Sequence, residues 1–250
     1  MKKSMRYIFT LAGRNFKEIL RDPLGIIFTL AMPLIMEVAF YFLFGKMTAQ
    51  FQMKYLAPGI IVFSQAFLTL FTGLVLSVDR SSSFLTRLYV SGAKPFDFIA
   101  GYALSVLPIV LFQSVLFFAV GIIIDGTLLS VTIIPTIALS LLTSLTFVSA
   151  GILLGSICNE KSIGGVASVV IAGQSVLSGM WFPIDGLSGG FLTVMNVLPF
   201  RNATLLLQNA FNGATDTFDG IIKPLLIVLA YTVAIFLSAV IAFGKKMIDN

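Results

Sequence analysis

Histidine is absent from the chain, and cysteine occurs once. Without histidine there is no His-based metal site, no Ser-His triad and no His-Glu-x-x-His helix. A lone cysteine, Cys158, excludes an intramolecular disulfide. It stands beside Asn159-Glu160-Lys161 and reads as a small packing residue in a reducing cytoplasmic turn. Charge is scarce: Asp, Glu, Lys and Arg make up 11% of residues, less than half the roughly 25% of soluble domains. No Gly-x-x-x-x-Gly-Lys-Ser/Thr and no Gly-x-Gly-x-x-Gly occurs. The chain has no recognisable nucleotide site and reads as no enzyme. Any use of ATP has to come from another subunit.

Apolar residues are abundant instead. They reach 58%, above the roughly 45–50% usual for soluble domains. They gather into several runs close to the about 20 residues that cross a bilayer as a helix. The expected fold is an all-α integral membrane protein, one domain over residues 1–250. The net charge of +5 does not point to nucleic acid, because the cations flank the apolar runs.

Residues 1–22 form an amphipathic pattern. Ile8, Leu11, Ala12, Phe16, Ile19 and Leu20 mark one helical stripe, and Arg6, Arg14, Lys17 and Arg21 lie mostly off it. This predicts a helix in the membrane interface, or one packed on the protein's own core. The segment is not a cleavable signal, since it lacks a long apolar core followed by a small-residue cleavage site. Asp22-Pro23 then starts a helix. Spans are expected at 24–44, 60–78, 96–124, 132–157, 163–180 and 221–243, six in all.

Pro33 and Glu37 lie within the first span. Glu37 is the one carboxylate in the middle of an apolar run. In lipid it would cost several kcal/mol unless paired, protonated or facing water, so it should face the interior. Gln65, Gln113 and Gln174 are the other polar groups at depth. With Glu37 they are candidates for a transport pathway, or else buried hydrogen-bonding residues. Gly151 and Gly155 make a Gly-x-x-x-Gly match, which permits a close helix approach.

Residues 181–220 are too interrupted for one span. Trp181-Phe182-Pro183 stops the fifth span with an interfacial aromatic. Pro199-Phe200-Arg201-Asn202 separates two short apolar helices. Their lengths suggest an outer re-entrant hairpin, or an ordinary helical loop lying on the membrane.

Residues 79–95 are a polar break with an amphipathic pattern of their own. Ser81 to Ser83 suit a helix start. Phe84, Leu85, Leu88 and Tyr89 fall on one face, and Gly92 suits a left-handed cap. The alternatives are a solvated inter-helix loop or a short helix that docks on a cytoplasmic partner. With six spans and the N terminus inside, only Lys46, Lys54, Arg201 and Lys223 lie outside. The other twelve of the sixteen basic residues lie inside, as the positive-inside bias requires.

Asp79-Arg80, followed by Arg87-Leu88-Tyr89-Val90-Ser91-Gly92, resembles the cytoplasmic coupling segment of ABC-2 family exporter permeases. Ser83-Phe84-Leu85-Thr86 stands where that family often has Gly-Thr-x-Glu. Gly179-Met180-Trp181-Phe182-Pro183 with Leu198-Pro199-Phe200 is similar to the family's Gly-x-x-Phe-Pro and Leu-Pro pattern. The resemblance extends over the whole chain and is to the membrane subunits of type V ABC exporters.

It implies a half-size permease that pairs with a second copy or a paralogue. Cytoplasmic ABC ATPase subunits would bind ATP and Mg, and this chain no cofactor. It assigns ATPase coupling to Asp79, Arg80, Phe84, Leu85, Arg87, Leu88 and Tyr89, aided by the interfacial helix with Arg6, Arg14, Phe16, Lys17 and Arg21. It assigns an outer gate to Trp181, Phe182, Pro183, Leu198, Pro199 and Phe200. It further implies a bacterial plasma membrane with both termini inside. A pathway of Phe, Leu, Met and Ile suits an amphipathic drug, antibiotic or toxin-like cargo. An exporter of lipid-linked polysaccharide has the same layout. A secondary transporter or scaffold without ATPase is the reading from another class.

Overall fold

The computed structural model describes residues 2–82, 92–182, 184, 187, 189–214 and 218–248. Among the described residues the regular structure is helical throughout. We label the helices α1 (Lys2–Leu20), α2 (Pro23–Phe44), α3 (Met53–Ser81), α4 (Pro95–Ile124), α5 (Ile133–Ile157), α6 (Glu160–Leu177), α7 (Gly189–Val197), α8 (Pro199–Phe211) and α9 (Lys223–Ile248). A π-helical turn, Phe218–Ile222, leads into α9. The Asp22 side chain accepts from Leu24 N at 3.1 Å and starts α2.

Five helices are long and apolar enough to cross a membrane: α2, α3, α4, α5 and the last, over Phe218–Lys245. A sixth is reached if α7 and α8, bent by 76° at their junction, are one broken span. The span expected at 163–180 falls mostly on α6, whose 18 residues rise about 27 Å, near the lower limit for crossing a bilayer. Glu160, Lys161, its serines and Gln174 dilute its apolar character. The second span, expected from 60, lies on a helix that begins earlier, at Met53. The last, expected to end at 243, lies on a helix that continues through Gly244 to Ile248. One helical glycine costs only about 1 kcal/mol.

Burial makes α3 the hub. Of its most apolar window 83% lies inside the protein, against 17% for α2 and 17% for the last span. It packs on α5 above all, and also on α6, α8, α4 and α2. Glycine lets α3 and α5 approach closely. A Cβ at Gly151 would stand 2.5 Å from Thr69 O, and one at Gly155 would stand 2.6 Å from Gly73 O. Thr69 Oγ1 also donates across this crossing to Phe147 O at 3.0 Å. The Gly-x-x-x-Gly pair therefore lies at the tightest seam between the two best-packed helices.

Pro33, Pro58 and Pro224, like Pro108 within α4, leave the carbonyl four residues back without its helical donor, and side-chain amides serve the first three. Pro33 frees Thr29 O. The helix widens there into a π-helical turn, Ile27–Ala31, and Gln113 Nε2 of α4 donates to Thr29 O at 2.9 Å. Pro58 frees Lys54 O, which accepts from Asn212 Nδ2 at 3.1 Å. Pro224 frees Gly220 O, which accepts from Asn209 Nδ2 at 2.8 Å. Gln208 Nε2 adds a bond to Tyr55 O at 2.9 Å. A single helix turn at the end of α8 thus secures both α3 and the start of α9.

Replacing Gly151 by alanine should destabilise the protein by about 1–3 kcal/mol through overpacking. Gly164→Ala, where a Cβ meets nothing within 4 Å, should leave the melting temperature in detergent unchanged. Equal melting of the two variants would remove the close α3–α5 seam as a source of stability.

Candidate functional site

The polar end of the bundle around residues 79–97 is organised by two carboxylates. Asp79, near the end of α3, is 2% exposed. Its Oδ1 accepts from Arg14 Nη2 at 2.6 Å and its Oδ2 from Arg14 Nη1 and from the Tyr102 hydroxyl. One carboxylate therefore joins α1, α3 and α4. Paired nitrogens and paired oxygens make the Arg14 contact a bidentate fork, the geometrically most selective form of ion pair. Arg14 also meets Glu18 at 3.0 Å. The Asp79 hydrogen bond holds the Arg14 guanidinium above its usual range, against the cost of burial. Burial pushes the Glu18 carboxyl up, with Arg14 opposing.

The neighbouring Arg80 turns the other way. Its guanidinium donates to Ser156 O, and to Cys158 O at 2.7 Å. It thereby satisfies carbonyls that the end of α5 leaves open. On the far side of the segment, Asp97 accepts from Lys94 N at 3.0 Å and from the Ser4 hydroxyl of α1. Gly92 adopts φ of 92°, in the left-handed region. Both ends of the 79–95 stretch are thus tied to α1, and one end also to α5. Phe84, Leu85, Arg87, Leu88 and Tyr89 lie outside the described residues.

Asp79 and Arg80, expected to take part in ATPase coupling, have their charged groups engaged inside the chain. Arg14, expected to lie off the apolar stripe, points inward to Asp79. Arg6, Lys17 and Arg21 are exposed, and Phe16 is half-buried against the core. Tyr102 and Asp97 had not been singled out. Asp97 was discernible as the third residue of a helix opened by Lys94-Pro95. Tyr102 gave no signal, because its partner lies on another helix.

The polar residues at depth are cross-links. Gln65 Nε2 donates to Ser140 O at 2.9 Å, and its Oε1 accepts from Thr143 at 2.8 Å, joining α3 to α5. Gln174 Nε2 donates to Thr204 Oγ1 at 3.1 Å, joining α6 to α8. Gln113 joins α4 to α2 as described. All three, and Glu37, are fully buried. Each amide, expected to be a pathway or a buried hydrogen-bonding residue, makes a hydrogen bond to a neighbouring helix. Glu37 differs: neither carboxyl oxygen has a hydrogen-bond partner among the described residues.

At the opposite end, Trp181 is wedged rather than laid on the interface. Its ring lies 4.8 Å from Phe40 and 5.4 Å from Phe63, centroid to centroid. Phe200 packs near Phe147 at 6.4 Å, over Gly173, where a Cβ would touch its ring at 3.0 Å. Leu198 and Phe182 are half-buried and Pro199 is buried. Pro183 lies outside the described residues. Beside this aromatic plug a cavity of about 790 Å³ is lined by Tyr55, Met180, Phe182, Arg201 and Gln208 among others.

A family model described as ABC-2 type transporter matches residues 6–212. No curated protein matches the chain.

Gln113→Leu should cost about 1–3 kcal/mol by leaving Thr29 O bare in the core, read as a lower melting temperature. A pathway role would instead change transport at unchanged melting. For the clasp, a double-mutant cycle of Arg14→Gln and Asp79→Asn should give a coupling energy of about 1–3 kcal/mol. Simple additivity of the two variants would mean that the fork does not hold α1 in place.

Proposed function

The chain belongs to the ABC-2 type transporter family, and on that premise we propose that it exports an amphipathic or hydrophobic compound, of drug, antibiotic or toxin type. As a membrane domain of this family it is a permease subunit of an ABC transporter, not the catalytic ATPase. In the proposed cycle, two permease chains, identical or paralogous, sit in a bacterial plasma membrane with both termini inside. Separate cytoplasmic subunits bind ATP and Mg. Closure of that ATPase pair pushes on residues 79–95 and alters the spans.

The observation that carries this reading is the grip on both ends of that segment. A force applied between Arg80 and Lys94 has stiff connections onward. Asp79 leads it into α1 and α4 through Arg14 and Tyr102. Arg80 leads it into α5 through Ser156 and Cys158. A loop with no mechanical duty needs neither anchor. The apolar character of the cargo is supported by the lining beside Trp181, where Met180, Phe182, Ile184 and Leu187 accompany Arg201 and Gln208. Such a surface offers one end to an apolar body and the other to a polar group.

Glu37 keeps a place in this proposal. A buried carboxyl without a partner, on a span only 17% buried over its apolar window, is suited to meet a donor group on cargo or on a second chain when the helices move.

The test is coupling. The tagged permease, purified in mild detergent from its native host, should bring with it a soluble protein bearing Gly-x-x-x-x-Gly-Lys-Ser/Thr. Leu85→Asp with Leu88→Asp should abolish that association. Arg14→Gln should retain the ATPase yet lower transport per ATP hydrolysed. A native preparation without any ATPase, whose transport follows an ion gradient and ignores ATP, would overturn the proposal.

A further inference from the structure

We propose that α1 and α4 together form a site for one anionic diacyl phospholipid, its acyl chain between the helices and its phosphate on Lys17 and Arg21. Two neighbouring cavities of opposite character point to this ligand. The first is an apolar crevice of about 530 Å³ between Phe9, Gly13 and Phe16 of α1 and Leu104, Pro108 and Leu111 of α4. The second is a groove of about 810 Å³ along α1 itself, from Phe9 to Asp22, with the cations Arg14, Lys17 and Arg21 and the carboxylates Glu18 and Asp22 on its wall. Phe9 and Gly13 line both.

Gly13 is the passage between them. A Cβ built there meets nothing within 4 Å, so the space beside it is open on the side where the cavities join. An occupant of the crevice can therefore continue into the groove without leaving the surface of α1. The crevice favours a linear apolar group. Leu104 and Leu111 are separated by about 10 Å along a helix that rises about 1.5 Å per residue, a length that suits an alkyl chain.

The groove supplies the complementary charge. Arg14 is engaged by Asp79 and Glu18, and Asp22 accepts from Leu24 N. Lys17 and Arg21 are exposed. They stand four residues apart, hence on one face of α1, and neither side chain bonds to another described residue. Arg21 also precedes the start of α2 at Pro23 by two positions, which places it at the polar end of a membrane span. A phosphate held there has its glycerol over Gly13 and one acyl chain in the crevice. The site needs no ATP and no cargo, so it stands apart from the transport proposal.

Native mass spectrometry of the purified permease, with any bound partner subunits left on, tests the site. Phosphatidylglycerol and phosphatidylcholine with the same acyl chains are offered in equal amounts. One phosphatidylglycerol per chain should survive activation, preferred by about fivefold or more, the contribution of one basic residue near an anionic headgroup. Lys17→Gln with Arg21→Gln should erase the preference. Gly13→Phe should exclude both lipids while leaving the melting temperature in detergent unchanged. Equal retention of the two headgroups in the wild type would reduce the crevice to ordinary lipid contact and overturn the inference. So would a preference that survives both variants. Displacement of the lipid by inorganic phosphate at matching concentration would mark a bare anion site and overturn it equally.

Discussion

A backbone carbonyl inside hydrocarbon has to find a donor, and this fold is arranged around carbonyls that proline has deprived of theirs. In water the vacancy would be filled by solvent at little cost. In a bilayer each bare group costs several kcal/mol. The chain answers with side-chain amides from other helices: Gln113 on Thr29 at depth and, nearer the aqueous ends, Asn212 on Lys54 and Asn209 on Gly220. Each repair is also a helix-to-helix link. The prolines that weaken α2, α3 and the start of α9 locally are thereby what join those elements to the rest. Kinks and cross-links arise together, from one cause.

The same economy governs the charged end. Asp79 would be a liability at 2% exposure if it stood alone. With two donors from Arg14 and one from Tyr102 it is well satisfied, and it ties three helices together beside the apolar cluster of Leu11, Leu76 and Phe98. Apolar stripes hold α3 against α5 and set distance, whereas the carboxylate fixes direction. A fork of this kind tolerates little rotation before its bonds break. A pull on the end of α3 is transmitted to α1 rather than absorbed by slack side chains.

Much of this was legible in the sequence, but unevenly. The apolar runs gave the helical membrane class, because hydrocarbon thickness imposes a length that composition alone can meet. The glycine pair on α5 announced a close approach. The stretch 163–180 was legible only in part, because its helix starts earlier, at Glu160, and ends at Leu177. Gln65, Gln113 and Gln174 were legible in a different way. Polar groups at depth stand out along a sequence, yet what they touch is settled by residues 75, 84 and 30 positions away. Tyr102 was illegible for the same reason. A tyrosine in an apolar helix has no distinctive neighbours until the fold brings Asp79 to its hydroxyl. Trp181 read as an interfacial anchor because its chemistry suits that place, while the cleft between Phe40 and Phe63 offered it a better one.

The link between Thr29 and Gln113 also orders events in time. The carbonyl is made early and its donor 84 residues later. At about 5–20 residues per second of synthesis, α2 waits roughly 4–17 s for its partner. During that interval the kinked helix holds an unmet polar group, and bare hydrocarbon is a poor place for it. The first span to leave the ribosome thus has its buried carbonyl met only after the third has followed it. Its residence beside the insertion machinery, or beside water at the membrane edge, becomes a built-in pause in biogenesis that ends when α4 arrives.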